Sequence, residues 1–541
     1  MTQFNLHYQY RTYYTPTRLI TFSDVLITCT KVLPLIAAIF TYCTWMTDTH
    51  ILPKWLCTLG VVAVMGMIEG IIFLFGKQRR VKGLSSFTAV AFLCLCQAVY
   101  AIIQAVGIMP SRFSYQVVGS FDNPAGLAAC LSVAIPCCIY LFRTTERKVL
   151  KGAIAAMTLL IGMALLLSES RAGILAGLFL PTAWWLFGSI KRRWVKLAVL
   201  GIGVVLMPIM YMAKKDSADG RLLMLRCGWE MVKDKPLFGH GMGGVQAQYM
   251  DYQAEWLAAH PESDFSMLAD NVKSVFNEYL TIGICFGMVG WLFLGLYVWL
   301  MIHSYRKAPS EEGRCALMSL AAIGVLGCFS YPFSYPFTWV VLIWSSFILL
   351  HQAYPFTLPK SKTVRCTMAI VLFCTSSFLL YGTVKRTRAE LEWGEISQMA
   401  LMGRSKEAFP RYEALMSILG NEPYFLYNYA AELYMADRHE EALYFARRCR
   451  THWADYDLEL LQGELLNELN RYDEAEHHFQ LAANMCPVRF VPLHSLLKLY
   501  QQMGNTVQAD SMAQKIIDKP VKISSAEVDR IKAEARKWLK R

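Results

Sequence analysis

Apolar residues recur along the first 380 positions in blocks of about 20, the length an α-helix needs to cross the hydrocarbon of a bilayer. Eleven such blocks are readable, at 22–43, 55–76, 84–107, 123–143, 149–168, 170–188, 194–211, 276–302, 314–332, 335–352 and 364–382. Two pairs, 149–168/170–188 and 314–332/335–352, have very short connections, so a re-entrant segment is an alternative for one of them. The expected count is therefore about eleven, within 10–12. One connection, 212–275, is much longer than the rest. After about 383 the pattern changes to charged, amphipathic sequence with helical spacing.

Basic residues fall in alternate short loops. Lys77, Arg79, Arg80 and Lys82 form one group; Arg143, Arg147, Lys148 and Lys151 the next; then Lys191, Arg192 and Arg193, Arg306 and Lys307, and Lys360, Lys362 and Arg365. The intervening loops hold little beyond Lys54, Arg112 and Arg171. Since Lys and Arg mark the cytoplasmic side, the N-terminus is expected inside, and 108–122, 168–170, 212–275 and 383–541 outside. Lys385, Arg386 and Arg388, directly after the last block, run against this alternation.

Composition fits a membrane protein. Hydrophobic residues make up 55% of the 541-residue chain and charged ones 17%, with a mean hydropathy of +0.32. Such a chain is neither disordered nor a coiled coil. The net charge of +12 is accounted for by the basic loops, so nucleic acid is not an expected partner; membrane lipids are. Most of the 16 cysteines lie in apolar runs, as Cys94, Cys96, Cys137, Cys138 and Cys374 do. There they act as small hydrophobes rather than a disulfide framework. Residues 1–18 are polar without a signal-peptide core, so the first apolar block is expected to be retained as an anchor.

In the C-terminal third, segments beginning at 404, 438, 471 and 505 align on Ala408, Ala442, Ala475 and Ala509, at spacings of 34, 33 and 34 residues. A period near 34 with small residues where helices cross resembles tetratricopeptide repeats, and Gly463, Phe479, Ala482 and Pro487 match that consensus. The expected fold is thus all-α: a polytopic membrane domain, 1–382, with a large extracytoplasmic loop at 212–275, and an α-solenoid of helical repeats, 383–541. Solenoids present a concave binding surface; a cap that only rigidifies the membrane domain is the alternative.

Four features with chemical potential fall on the expected outer side. GSFDNPAGLAACL (119–131) runs a polar turn into a span, with Asp122 and Asn123 either capping the helix or bonding a sugar or acceptor. LLLSESRAGILAG (165–177) places Glu169 and Arg171 at a span boundary. An ionised group there is a functional candidate, and a guanidinium matches phosphate oxygens; snorkelling with a Glu169 pair is the alternative. The long loop carries Arg221 and Arg226 on an amphipathic helix ended by Pro236, then Gly239, Gly241, Gly243 and Gly244. It has neither a Walker nor a dinucleotide-binding pattern. NVKSVFNEYLTIGICFGMVGW (271–291) opens a span with Asn277 and Glu278, a helix-dipole pairing or a general base.

This set, in this order on a multispanning chain, resembles the O-antigen ligase superfamily, which includes O-antigen ligases, O-antigen polymerases and bacterial protein O-oligosaccharyltransferases. The resemblance covers about residues 115–350 and is most specific in R…W…KDKPLFGHGMG and NEYL…G…G. It implies transfer of a glycan from a polyprenyl-pyrophosphate carrier to an acceptor hydroxyl at the periplasmic face of a bacterial inner membrane, inverting, with no metal or cofactor. The acceptor would be Ser or Thr of a protein; lipid A core, or the growing glycan, is the alternative, and a non-catalytic transporter or scaffold a further one. The resemblance assigns diphosphate binding to Arg171 and Arg221, with Arg226 in reserve, and a substrate contact to Asn123; Asp122, Asn277 and His260 are further expected substrate contacts. Many members carry His before the Asn of the last motif. Here that position is Phe276, so the base falls to Glu278, or to His240 or His260, or proton removal is not limiting.

Overall fold

The computed structural model describes residues 22–75, 86–111, 113–181, 212, 215–355, 359 and 361–541. The described residues are helical and loop throughout, with no strand. The membrane region comprises α1 (Phe22–Phe40), α2 (Ile51–Phe75), α3 (Ser86–Ala105), α4 (Pro124–Thr144), α5 (Lys148–Leu167) and the short α6 (Arg171–Ile174), which continues as one π-helical turn, Leu175–Phe179. The long loop then forms α7 (Lys215–Asp234) and α8 (Gly244–Ala259). The bundle resumes with α9 (Glu278–Lys307), α10 (Glu311–Phe329), α11 (Pro336–Ala353) and α12 (Lys362–Leu401).

Eight of the described helices are long and apolar enough to cross a membrane: α2 to α5 and α9 to α12. Each coincides with an expected block, and α1 overlies the first. The block at 170–188 runs into, and that at 194–211 lies within, residues outside the described set.

α4 is the centre of the bundle. Its small residues Ala128, Ala129, Cys130, Ser132 and Ala134 are buried, which lets α3, α5 and α10 close around it. α5 has far fewer buried positions and leaves Leu159, Met163, Leu166 and Leu167 exposed. α2 packs along α12 through Gly66 and Gly70, which face Ser376 and the Ala369 carbonyl. This is the small-xxx-small contact by which spans approach closely in lipid.

α12 has 40 residues and runs unbroken from the membrane into the soluble region, a rod of roughly 60 Å at 1.5 Å per residue. The expected domain boundary at 383 therefore falls inside one helix. One member of the discordant basic cluster has partners in the repeats. Arg386 on this rod pairs with Glu390 and with Glu422 of the repeats.

The repeats are helix pairs: α13 (Ser405–Leu419), α14 (Pro423–Met435), α15 (His439–Arg450), α16 (Tyr456–Glu468), α17 (Tyr472–Met485), α18 (Val491–Gln502), α19 (Thr506–Asp518) and α20 (Ala526–Leu539). The four aligned alanines are fully buried on α13, α15, α17 and α19. A Cβ at Gly463 would strike the Phe479 ring, so glycine lets α16 and α17 touch.

The repeats and the long loop share one core. Leu223, Met231 and Met250 of the loop pack with Ala454, Tyr456 and Met485 of the repeats. Arg450 bridges Asp251 and Glu459, Asn271 donates to Asp455 at 2.7 Å, and Arg489 pairs with Asp270 at 2.8 Å. These contacts fasten the solenoid to α8 and the chain after it.

Candidate functional site

At one end of the bundle, loops 113–117, 122–125, 167–172 and 329–331, with Ser217, Arg221, Lys273 and Phe276, enclose a cavity of about 930 Å³. All four sequence features with chemical potential contribute to its wall.

The Asp122–Asn123 corner is fixed from below by a buried polar network. Gln104 accepts from the Val118 and Gly119 N–H groups at 3.1 and 2.8 Å and donates to the Gly119 carbonyl at 3.2 Å. Gln97, seven residues earlier on the same face of α3, accepts from Ser120 N–H at 3.1 Å and donates to its hydroxyl at 2.9 Å. The Ser120 hydroxyl donates to the Ile39 carbonyl at 2.5 Å, which also receives the buried Lys54 ammonium at 2.6 Å. Buried amides with every group engaged rigidify what they hold. Gly119 sits at φ +61°, and a Cβ there would meet the Gln97 carbonyl oxygen.

Asn123 caps α4, accepting from the Ala125 and Gly126 N–H groups at 2.8 and 3.2 Å. The capping alternative is thus correct for its oxygen. Its amide nitrogen donates to Asp122 at 2.8 Å and to the Tyr331 oxygen at 2.7 Å. Tyr335 donates to the other Asp122 oxygen at 2.9 Å. Burial, reinforced by the Asp122 charge, pushes the Tyr331 phenol up to about 12, so it stays protonated.

Arg171 opens α6 two residues after Glu169, which is held at φ +53°, a strained turn for a residue with a Cβ. Ser170 caps this helix, accepting from Gly173 N–H at 3.2 Å. Gly173 and Gly177 lie against Ala128 and Ser132 of α4, and this close packing is what positions Arg171.

Arg221 reaches the cavity from α7. Its guanidinium donates to the Phe329 carbonyl at 3.1 Å, and its carbon lies 4.9 Å from the Phe276 ring centre. Burial, and secondly the charge of Arg171, pull the group below the usual arginine range. Two like charges near one another, partly desolvated on a cavity wall, make an environment that an anion stabilises.

The Gly-rich run has a different job from any phosphate cradle. α9 is broken at Gly287, with φ +60° and ψ −150°. The backbone groups freed there are taken by the loop: His240 N–H to the Ile284 carbonyl at 2.7 Å, Gly241 N–H to Cys285 at 3.0 Å, and Met288 N–H to the Pro236 carbonyl at 2.8 Å. A break in a span is tolerated where protein re-satisfies its backbone. Gly239, at φ +69°, lies so close to Cys285 that no Cβ fits. The run is a wedge that fastens α7, and with it Arg221, to α9.

The other expected site residues stand off the cavity wall. Asn277 caps α9, accepting from Leu280 N–H at 2.9 Å and donating to the Cys328 carbonyl at 3.1 Å. Glu278 accepts from Phe333 N–H at 3.0 Å, holding the segment that carries Tyr331 and Tyr335. Arg226 lies 5.1 Å from the Trp256 ring centre, on which His260 stacks at 4.4 Å. His240 is held between Gln248 and the Met231 carbonyl. Sequence reading passed over Lys273, Tyr331 and Tyr335. Lys273 lines the cavity and lies 5.3 Å from the ring centre of Tyr424 on α14, so the first full repeat reaches the cavity rim. Its signal was a lone cation four residues before Asn277. Among the described residues no cluster of three or more His, Cys, Asp or Glu is placed to hold a metal.

Comparison with known families bears on this arrangement. Residues 155–295 match the O-antigen ligase family. The matched stretch runs from inside α5 to inside α9 and takes in Arg171, Arg221 and the Gly-rich wedge, with Asn277 and Glu278. Asp122 and Asn123 precede it. The match supports glycan transfer of the O-antigen ligase type. No curated protein matches the chain. Among solved structures, it aligns with the crystal structure of the APC/C hetero-tetramer Cut9–Hcn1 at 10% identity, over 89% of this chain and 83% of that one, with a TM-score of 0.25, too low to conclude a shared fold.

Proposed function

We propose that the chain transfers a glycan from a polyprenyl-pyrophosphate carrier to Ser or Thr of a protein at the periplasmic face of the bacterial inner membrane. The observation that carries this is the convergence of Arg171 and Arg221, from segments 50 positions apart in the sequence, on one cavity at the ends of the spanning helices. A diphosphate leaving the anomeric carbon gains charge, and preorganised guanidinium groups stabilise that charge by several kcal/mol. The acceptor oxygen attacks the opposite face of the sugar, its bond to carbon forms as the carbon–phosphate oxygen bond breaks, and its proton passes to a carboxylate. Asp122 and Glu169 are the carboxylates on the wall; we assign the proton to one of these. Glu278 would then act by holding the 331–335 segment.

A protein acceptor is favoured by the repeats meeting the cavity at Lys273 and Tyr424, which provides a surface continuous with the site. The test is incubation of the purified full chain with a lipid-linked oligosaccharide and, in parallel, protein and lipid A core acceptors. Glycan on Ser or Thr is the expected result. Glycan on the lipid A core alone would replace this reading with O-antigen ligation.

A further inference from the structure

α7 has two apolar stripes. One, through Leu223, Cys227 and Met231, is buried against the rest of the loop and α9. The second, through Leu222, Leu225 and Trp229, lies on another face and is exposed. The tip that follows adds Leu237, Phe238 and Met242, exposed by 59, 74 and 91%. Contiguous apolar surface of this kind in water is rare without an interaction partner.

The surface is continuous with a span. Trp229 stacks on Trp291 of α9 with ring centres 6.1 Å apart, and the wedge ties the tip to α9 at Gly287. On the same stretch of α9, Phe286, Met288, Leu292 and Phe293 are exposed, as lipid-facing side chains of a spanning helix are. Basic residues lie beside the apolar stripe: Arg226, which also contacts the Trp256 ring, Lys233, which pairs with Glu230, and Lys235; cations flanking an apolar face suit a helix lying in an interface near lipid headgroups. Trp229 suits the same depth.

We infer that α7 and the tip 236–242 are embedded in the outer part of one bilayer leaflet, with acyl chains covering Leu222, Leu225, Trp229, Leu237 and Phe238. The wedge thus serves as an anchor as well as a repair to α9. The inference needs only that α9 spans the membrane and stands without the glycan-transfer reading. If that reading holds, the embedded helix keeps Arg221 at the depth of a lipid diphosphate.

The test uses the full chain in phospholipid nanodiscs with p-benzoylphenylalanine replacing Leu225, Phe238, Met288 or Asp234, one at a time, followed by irradiation and mass spectrometry. Position 288 is the lipid-facing control and 234 the polar-face control. Phospholipid adducts at 225 and 238, comparable in yield to 288 and at least fivefold above 234, are expected. Adducts at 288 with none at 225 and 238 would overturn the proposal. So would cross-links from 225 and 238 to protein, which would make the stripe a protein interface.

Discussion

The Arg221 guanidinium stacks on the Phe276 ring at 4.9 Å, and Phe276 itself is held at φ +52° against Tyr331, 5.1 Å away edge to face. The position where related sequences were expected to carry a proton acceptor is here an aromatic support for a cation. A partly buried cation–π contact contributes on the order of 1–2 kcal/mol. Phe276→Ala should therefore slow transfer roughly tenfold through the donor KM, while Phe276→Tyr keeps most of the activity. Steady-state kinetics with purified donor decide this; an unchanged Phe276→Ala would show that the ring does not support Arg221.

The carboxylates can be separated. If Asp122 or Glu169 takes the acceptor proton, Asp122→Asn or Glu169→Gln lowers kcat by about 100-fold or more, within the range of general-base effects. Glu278→Gln leaves kcat within a few-fold, because an amide oxygen still accepts from Phe333 N–H. The reverse pattern in single-turnover assays would return the base role to Glu278.

The wedge predicts a contrast between two glycines. Gly239 and Gly241 both have positive φ, but only Gly239 is pressed against α9; a Cβ on Gly241 meets open space. Gly241→Ala should cost about 1 kcal/mol of conformational strain. Gly239→Ala must also displace the loop from the broken span and should cost about 3 kcal/mol or more. Thermal unfolding of the detergent-solubilised chain checks the ranking, and equal losses would refute the wedge.

Asp455 makes the repeat junction sensitive to pH. Burial raises its carboxyl from 3.8 to about 6. A raised folded value means that its favourable contribution is complete below about 4 and is lost as pH rises through about 6. Roughly two pKa units correspond to about 3 kcal/mol. Asp455→Asn keeps a neutral cap for α16 and avoids the buried charge. It should raise the Tm relative to wild type at pH 7.5 and lose that advantage at pH 4. An advantage equal at both pH values would contradict the assignment.

Much of this was legible in the sequence, and the rest was hidden for identifiable reasons. Span length and the 34-residue period are properties of single helices or adjacent pairs, so the eight spanning helices and buried Ala408, Ala442, Ala475 and Ala509 could be read directly. Arg171 stood out because charge at a span boundary is costly, and Arg221 because it opens the amphipathic helix of the long loop that the family resemblance singles out. The expected joint at 383 falls inside α12, because a composition change marks where apolar sequence ends while a helix can continue through it. The purpose of Gly239 could not be read, because its partner is the backbone of a helix 45 positions later. Lys273 and Tyr331 owe their place to tertiary packing, which periodicity does not encode.

The central claim is that Arg171 and Arg221 together grip the diphosphate of a lipid-linked glycan. It is tested most directly by the single-turnover rate of glycan transfer by purified Arg171→Ala and Arg221→Ala proteins, each with its Lys counterpart. The account predicts a loss of at least 100-fold for each alanine variant, the scale of removing a preorganised donor at a developing charge, with partial recovery in lysine variants. Wild-type rates in both alanine variants would contradict it.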